Sequence, residues 1–490
     1  AAVSTLLTLA LGLPAAWVFA RFNFRGKGAL RLLSTLPFIL PTVVVAAGFT
    51  ALLGPRGLIN HWLMNWFQLD APPIAFMNTL GAILLAHVFY NTSVVMRVVG
   101  SALVQLDPRM ADAGSVLGAS PWRVLREITL PLLQPSILVA ALMVFLFDFS
   151  SFGVVLLLGG PRFATLETAI YTQTLSMFNL RMAGLLTFLQ LLCTVGVTLL
   201  YTRLNGKRNI PLMPRMQGEG VRRPITVAEK SLVAAICIVL LILLVSPLAA
   251  LVVRSLGTGG GNSEFTLSYY QELFVNRSSA FFYVPPIKAA LNSLLFALLT
   301  VLISVGLGLA AAYALVRQAG LRRWLDPLIM LPLGTSAVTL GLGFLVAFNR
   351  PPLNNISLPL LIPLAHSLVA LPFVVRTIQP SLASIPAALL DSAASLGASP
   401  ARVWRFVEFP IIRRAVLVGA IFSFTISLGE FGATSFLTRP ETPTLPVAIY
   451  RFLSQPGAMN YGQAMAMATL LMLVCALAIG FLDKLEGNGE

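Results

Sequence analysis

The chain has 490 residues, of which 57% are hydrophobic and 10% charged, and its net charge is +15. A soluble domain carries about 25% charged residues, so a soluble fold could not hide this much apolar surface. In a soluble protein the positive charge would suggest nucleic acid, but here the basic residues lie in short loops between apolar runs and are not interleaved with aromatics, so no nucleic-acid partner is expected.

Runs of about 20 apolar residues are long enough to cross a bilayer as helices. Eleven spans are predicted, near 3–20, 32–54, 77–99, 133–158, 184–202, 231–254, 289–316, 327–348, 359–379, 412–437 and 462–483. The expected fold class is an all-α polytopic membrane protein. Pro37, Pro41 and Pro332 fall inside spans, where neighbouring helices can satisfy the carbonyls that proline frees. Cys193, Cys237 and Cys475 also lie in spans and read as packing residues, because no spacing suggests a metal site or a disulfide framework. The chain begins at Ala1 within an apolar run, with neither a basic n-region nor a small-residue cleavage site, so no signal peptide is read.

Lysine and arginine set the orientation. Of the 33 basic residues, 24 fall in one alternating set of loops, from Arg21 through Arg123 and Arg222 to Arg402 and Lys484. The opposite loops hold only nine: Arg56, Arg162, Arg181, Arg254, Arg277, Lys288, Arg350, Arg439 and Arg451. The richer side is expected in the cytoplasm, with the carboxyl terminus inside and Ala1 outside. One further helix before Ala1 would return the start to the inside and give twelve, so an amino-terminal helix is expected to be missing from this sequence.

The chain repeats itself. Leu117-Gly118-Ala119-Ser120-Pro121 recurs as Leu396-Gly397-Ala398-Ser399-Pro400, an offset of 279 residues. The same offset carries His87 onto His366, Arg97 onto Arg376, Pro131 onto Pro410, Phe152-Gly153 onto Phe431-Gly432, and Ala169-Ile170-Tyr171 onto Ala448-Ile449-Tyr450. Upstream the register slips to 295, where Leu36-Pro37 meets Leu331-Pro332, so the first copy has a longer outer loop around 55–76. An even number of spans separates equivalent points, which makes two parallel six-helix repeats. The expected domains are 1–203, truncated at its amino end, a basic cytoplasmic linker 204–230 with Pro211, Pro214 and Pro224, and 231–490.

Each copy carries a basic-side segment between two spans. The first reads Ala111-Asp112-Ala113-Gly114-Ser115-Val116-Leu117-Gly118-Ala119-Ser120-Pro121-Trp122-Arg123 and closes with Ile128-Thr129-Leu130-Pro131. The second reads Asp391-Ser392-Ala393-Ala394-Ser395-Leu396-Gly397-Ala398-Ser399-Pro400-Ala401-Arg402 and closes with Val407-Glu408-Phe409-Pro410. Small residues make a helix that a partner can approach closely. Gly118 and Gly397 suit a left-handed helix C-terminus, and Ser120 and Ser399 are good N-caps, each followed by proline at the first helical position. The prediction is a helix, a sharp turn and a second helix leading back into the membrane, twice.

These segments resemble the EAA loop of ABC importer permeases, the MetI-like family: an acid, two alanines, three residues, Gly, nine residues, then Ile-x-Leu-Pro. The spacing matches in both copies and the resemblance covers nearly the whole chain. Asp112 and Asp391 stand for the usual Glu, Gly114 and Ser392 each for one Ala, and Val407 and Phe409 for Ile and Leu. The resemblance implies that Asp112, Ala113, Gly118 and Arg123 in one elbow, and Asp391, Ala393, Gly397 and Arg402 in the other, form or shape the contact with a separate, homodimeric ABC ATPase. It also implies a periplasmic or lipid-anchored substrate-binding protein as second partner, membrane lipid around the spans, and the inner membrane of a prokaryote. No Gly-x4-Gly-Lys-Ser/Thr occurs, so the chain is not expected to hydrolyse ATP or to be an enzyme.

Ionisable groups within spans usually face a cavity or a partner. Asp148 and Glu430, with Ser151 and Asn91 near them, are candidates for lining a translocation path; bonding to backbone or neighbouring side chains is the alternative reading. His87 and His366 suit interhelical hydrogen bonds, and no metal or cofactor is expected. The outer segments Gly159-Gly160-Pro161-Arg162-Phe163 and Thr438-Arg439-Pro440-Glu441-Thr442, with Ala86-His87-Val88-Phe89-Tyr90-Asn91, resemble permeases for iron(III) and for thiamine, so either cargo is expected. An ion-driven secondary transporter without an ATPase is the alternative from a different class.

Overall fold

A computed structural model describes residues 1–206, 221–257, 265–275, 284–351, 353 and 358–487. Among them the ordered elements are helices, with two isolated β-bridges and no longer strand. In chain order they are α1 (Ala2–Arg21), α2 (Lys27–Ile39), α3 (Thr42–Leu53), α4 (Leu58–Phe67), α5 (Leu80–Gln105), α6 (Pro108–Val116), α7 (Pro121–Val124), α8 (Leu130–Phe149), α9 (Gly153–Leu158), α10 (Leu166–Tyr171) and α11 (Leu180–Gly206). There follow α12 (Val227–Leu256), α13 (Ser268–Gln271), α14 (Pro286–Arg317), α15 (Ala319–Gly334), α16 (Ala337–Ala347), α17 (Leu358–Ala383), α18 (Ala387–Ser395), α19 (Pro400–Val403), α20 (Phe409–Gly429), α21 (Gly432–Leu437), α22 (Leu445–Leu453) and α23 (Ala458–Gly487). Among the described residues ten helices are long and apolar enough to cross a membrane, or eleven if the bent pair α15 and α16 counts as one span. The fold class is all-α polytopic, as expected.

Four predicted spans are not single helices. The span near 32–54 breaks between α2 and α3 at Pro41, which has no N–H to give the ladder and which restricts Leu40 before it. The stretch there that is long and apolar enough to span runs instead over Thr42–Phe67 and takes in both α3 and α4. The span near 327–348 bends by 100° between its two halves, and Ser336 caps the second half by accepting from the Thr339 N–H at 3.0 Å. The spans near 133–158 and 412–437 stop at Phe149 and Gly429, and the short helices α9 and α21 follow. The long outer loop of the first copy holds α4. Buried Asn60 ties it down, donating to the Gly54 and Ile74 carbonyls and accepting from the Ile74 N–H, each at 2.9 Å.

By its contacts the chain forms two compact units. One comprises Ala1–Phe38, Gly48–Ala169 and Leu185–Leu251; the other comprises Ile39–Ala47, Ile170–Gly184 and Val252–Glu490. These units do not coincide with the sequence copies, and local packing shows why. Val18 and Phe22 at the end of α1 cluster with Val233, Ile236 and Cys237 of α12, so most of α12 belongs with the first unit. In the second unit Pro41 approaches Gly429, whose Cβ would stand 3.2 Å from the proline Cγ, and the Tyr171 ring meets Phe436 edge-on at 5.8 Å. Most of the expected linker, with Lys207, Arg208, Pro211, Pro214 and Arg215, lies outside the described residues, as does Arg277. Its far end is described: the Arg222 N–H donates to the Arg21 carbonyl at 3.1 Å and the Asn23 N–H to the Arg222 carbonyl at 2.9 Å.

The same three helices make the core of each unit. In the first, Ala16 of α1, Val94, Val95 and Val99 of α5, and Ala140 and Val144 of α8 pack together. In the second, Ala312 of α14 packs with Val374 and Ile378 of α17, with Val416 of α20 against them. A Cβ on Gly12 would come 2.6 Å from Val95 Cβ, and one on Gly308 would come 2.6 Å from Val374 Cγ1. Val95 and Val374 are separated by the repeat offset of 279, and Gly12 and Gly308 by 296. Lipid tails are as apolar as leucine, so helices associate in a membrane by close packing at small residues; the repeat reuses one such crossing.

Candidate functional site

Both elbows form as the sequence predicts, and the backbone explains the glycine. In the first, the Gly118 N–H donates to the Ser115 carbonyl at 3.0 Å and the Ala119 N–H to the Gly114 carbonyl at 3.1 Å. In the second, Gly397 donates to Ala394 at 2.9 Å and Ala398 to Ala393 at 3.1 Å. This pair of bonds satisfies the last carbonyls of α6 and α18 and needs a left-handed residue between them. Gly118 and Gly397 supply it, at φ +82° and +78°. Asp107 caps α6 from its own side chain, accepting from the Arg109 N–H at 3.0 Å. Ser120 accepts from the Arg123 N–H at 3.4 Å, whereas Ser399 makes no side-chain cap bond, so the expected pair of serine caps is only half present.

Each elbow re-enters through one wide π turn, Leu125–Thr129 and Trp404–Glu408, in the same register. The Leu130 N–H reaches back to the Leu125 carbonyl and the Phe409 N–H to that of Trp404. Pro131 and Pro410 follow at once and have no N–H to continue the ladder, so the closing motif is also the helix irregularity. Single π turns inside helices occur often at functional sites.

The elbow tips are apolar and bare. Leu117 and Leu396 are each 88% exposed and Val116 is 87% exposed. Asp112, Ala113, Gly118, Arg123, Asp391, Gly397 and Arg402 are exposed on the same elbows, and Ala393 is half-buried. Arg123 pairs with Glu127 at 3.1 Å, but both side chains are open to solvent, so the pair adds little stability. A methyl on Gly114 would lie 2.6 Å from Ile128 Cδ1. In the second copy the equivalent positions hold Ala393 and Val407: one side gains a methyl where the other loses one. Each elbow thus carries one departure from the EAA pattern at this pair of positions.

The elbows differ in how they are braced. Glu408 is buried in the second π turn, accepts from the Tyr313 hydroxyl at 2.8 Å and pairs with Arg317. The first copy has Thr129 at that position. There, Trp17, Arg21, Asp107, Asp112, Thr129 and Arg222 line an open groove of about 380 Å³. Glu229 pairs with Arg222 and raises the guanidinium pKa further. Sequence reasoning passed over Glu408, Tyr313 and Arg317, because an ion pair across distant segments has no local signature.

The four interior candidates are bonded within their own units. Asn91 and Asp148 are buried in the first, with Ser151 half-buried, and Glu430 is buried in the second. His87 and His366 bridge helices in each, as expected. Tyr171 and Tyr450, separated by the repeat offset, meet through their hydroxyls; burial, then this neighbour, pushes the Tyr171 phenol pKa up. Among the described residues no group of three or more His, Cys, Asp or Glu is placed to hold a metal ion.

The sequence matches the model of a single family, described as binding-protein-dependent transport system inner membrane component, over residues 9–258 and again over 304–486. The chain belongs to that family. It is also 28% identical to the thiamine transport system permease protein ThiP of Escherichia coli, over 99% of this chain and 87% of that protein. Its identity to the ThiP of Brucella abortus is 28%, over 99% and 86%. A probable ABC transporter permease protein of Sinorhizobium fredii is 27% identical over 99% of this chain and 86% of its own length. The chain is therefore an ABC importer permease of the binding-protein-dependent type, multi-pass in the inner membrane, with two fused permease units.

Proposed function

We propose that this permease carries thiamine inward and is driven by a separate ATPase that docks on its two elbows. The single observation carrying the coupling role is the duplicated glycine turn with bare leucines at its tip. A lone exposed leucine needs no explanation, but the same bare leucine at the same turn position in both copies suits a partner with twofold symmetry. Arg123 and Arg402 stand one turn beyond, as polar contacts at the rim. The excess of basic residues at the elbow end supports a cytoplasmic elbow and carboxyl terminus. The proposed division is a first unit over 1–203, a linker over 204–230 and a second unit over 231–490. A substrate-binding protein delivers the cargo to the opposite face. Thiamine is favoured over iron(III) by the names of the relatives.

The test is uptake of labelled thiamine by a bacterium that lacks its own thiamine permease and expresses this chain with its ATPase and binding protein. Uptake that excess unlabelled thiamine competes away, and iron(III) does not, supports the reading. Uptake of iron(III) with none of thiamine overturns the cargo. Thiamine uptake without any ATPase subunit overturns the coupling and favours an ion-driven carrier.

A further inference from the structure

The interior histidines sit in equivalent networks whose acids have changed places. In the first unit His87 of α5 lies between Ser4 of α1, at 3.0 Å from Nδ1, and Ser151 beyond α8, at 2.9 Å from Nε2. Asp148 of α8 is 3.2 Å from Nδ1. In the second unit His366 of α17 has Ser427 of α20 at 2.7 Å from Nδ1, and Thr434 of α21 at 2.8 Å and Glu430 at 3.1 Å from Nε2. Ser427 donates to Thr300 of α14 at 3.2 Å. The offset of 279 places Ser427 at the position of Asp148, and Glu430 at the position of Ser151. Ser4 and Thr300 share the offset of 296 that relates Gly12 to Gly308. Each unit therefore keeps one imidazole, one carboxylate and a hydroxyl from α1 or α14, but the carboxylate and a serine are exchanged across the ring.

The auxiliary donors follow the acid. Asn91 donates to Asp148 at 2.7 Å, and its counterpart beside Ser427 is Ala370. Glu430 instead accepts from the Ala433 and Thr434 N–H groups at 2.8 and 2.9 Å, and so caps α21. Two independent solutions that place one carboxylate on one buried imidazole indicate that the pair itself is required and that its side is free.

We propose that these triads are positioning locks: in each unit the carboxylate, on either ring nitrogen, sets the break after α8 or α20 against α5 or α17. The four path candidates then act by holding the broken helices rather than by touching cargo. The inference rests on the permease assignment and not on the cargo.

The test moves the acid. D148S removes the carboxylate from the first unit, and N91A/D148S/S151E/V155T rebuilds there the wiring of the second, the threonine standing for Thr434, which bonds both His366 and Glu430. Both are measured as full chains with their ATPase and binding protein, for thiamine uptake and for thermal unfolding in detergent. D148S takes the carboxylate acceptor from the buried Asn91 amide, and a buried donor left unsatisfied is costly, so D148S is expected to lose uptake about tenfold or more and to unfold several degrees lower. The relocated variant is expected to regain most of both. A relocated variant no better than D148S overturns the proposal, as does full uptake by D148S/S151A, which has no carboxylate on either ring nitrogen. Wild-type protein without thiamine uptake would sink the cargo reading alone, because the unfolding series still judges the lock.

Discussion

Replacing Gly118 and Gly397 together separates two reasons for a glycine at the elbow. A Cβ at either position meets nothing within 4 Å inside the chain, so no clash arises within the protein. The remaining cost is conformational. A non-glycine residue held left-handed costs roughly 1–2 kcal/mol, which lowers the population of a correctly closed turn by about 5- to 30-fold at each elbow. Asparagine visits this region far more readily than other residues. The double alanine variant should reach the membrane at wild-type amounts, bind its ATPase more weakly and lose most ATP-driven uptake; the double asparagine variant should lose much less. The assay compares uptake and ATPase retained on washed membranes across the three proteins. Equal behaviour of the alanine and asparagine variants would refute the backbone argument and leave close approach by the partner as the reason. Wild-type uptake by the alanine variant would refute the elbow's role altogether.

Leu117→Asp with Leu396→Asp should leave thermal stability within about 0.5 kcal/mol, as for exposed positions, while weakening ATPase binding by roughly 10- to 150-fold per leucine, the value of burying one such side chain. Gly12→Val and Gly308→Val should each force a tight crossing apart and destabilise by about 1–3 kcal/mol, read as a lower unfolding temperature in detergent with the elbows intact. Glu408→Gln removes the charged partner of Arg317 and should cost about 1 kcal/mol, discounted because Arg317 is half-exposed; Thr129→Asp in the first copy should not reproduce the brace, because Trp17 there replaces Tyr313. Uptake per ATP hydrolysed by the Glu408 variant measures whether the brace transmits force.

What was legible in the sequence was whatever depended on identity at a fixed spacing. The elbow glycines, the paired histidines and the parallel repeat follow from one offset, and each has its place in the structure. The exchanged acids did not, because a comparison that looks for identity discards Asp148 against Ser427 and Ser151 against Glu430; only the imidazole between them shows that they answer each other. The helix breaks were hidden for another reason. Hydropathy averages over a window, and both sides of Pro41 and of Thr335 are apolar. Proline alone could not mark them, since Pro14, Pro247, Pro363 and Pro372 all stay inside helices. The grouping of most of α12 with the first unit depends on Val233, Ile236 and Cys237 meeting α1, a long-range contact that no local pattern announces. Gly114 looked like a lapse from the EAA pattern until Ile128 was seen above it.

The central claim is that a separate ATPase drives this permease through its two elbows. Its most direct test is transport into proteoliposomes that hold the chain, its ATPase and its binding protein, energised either by ATP or by an imposed ion gradient. The account predicts thiamine accumulation with ATP alone, abolished when both elbow leucines are replaced by aspartate. Accumulation that follows the ion gradient and ignores ATP would contradict it.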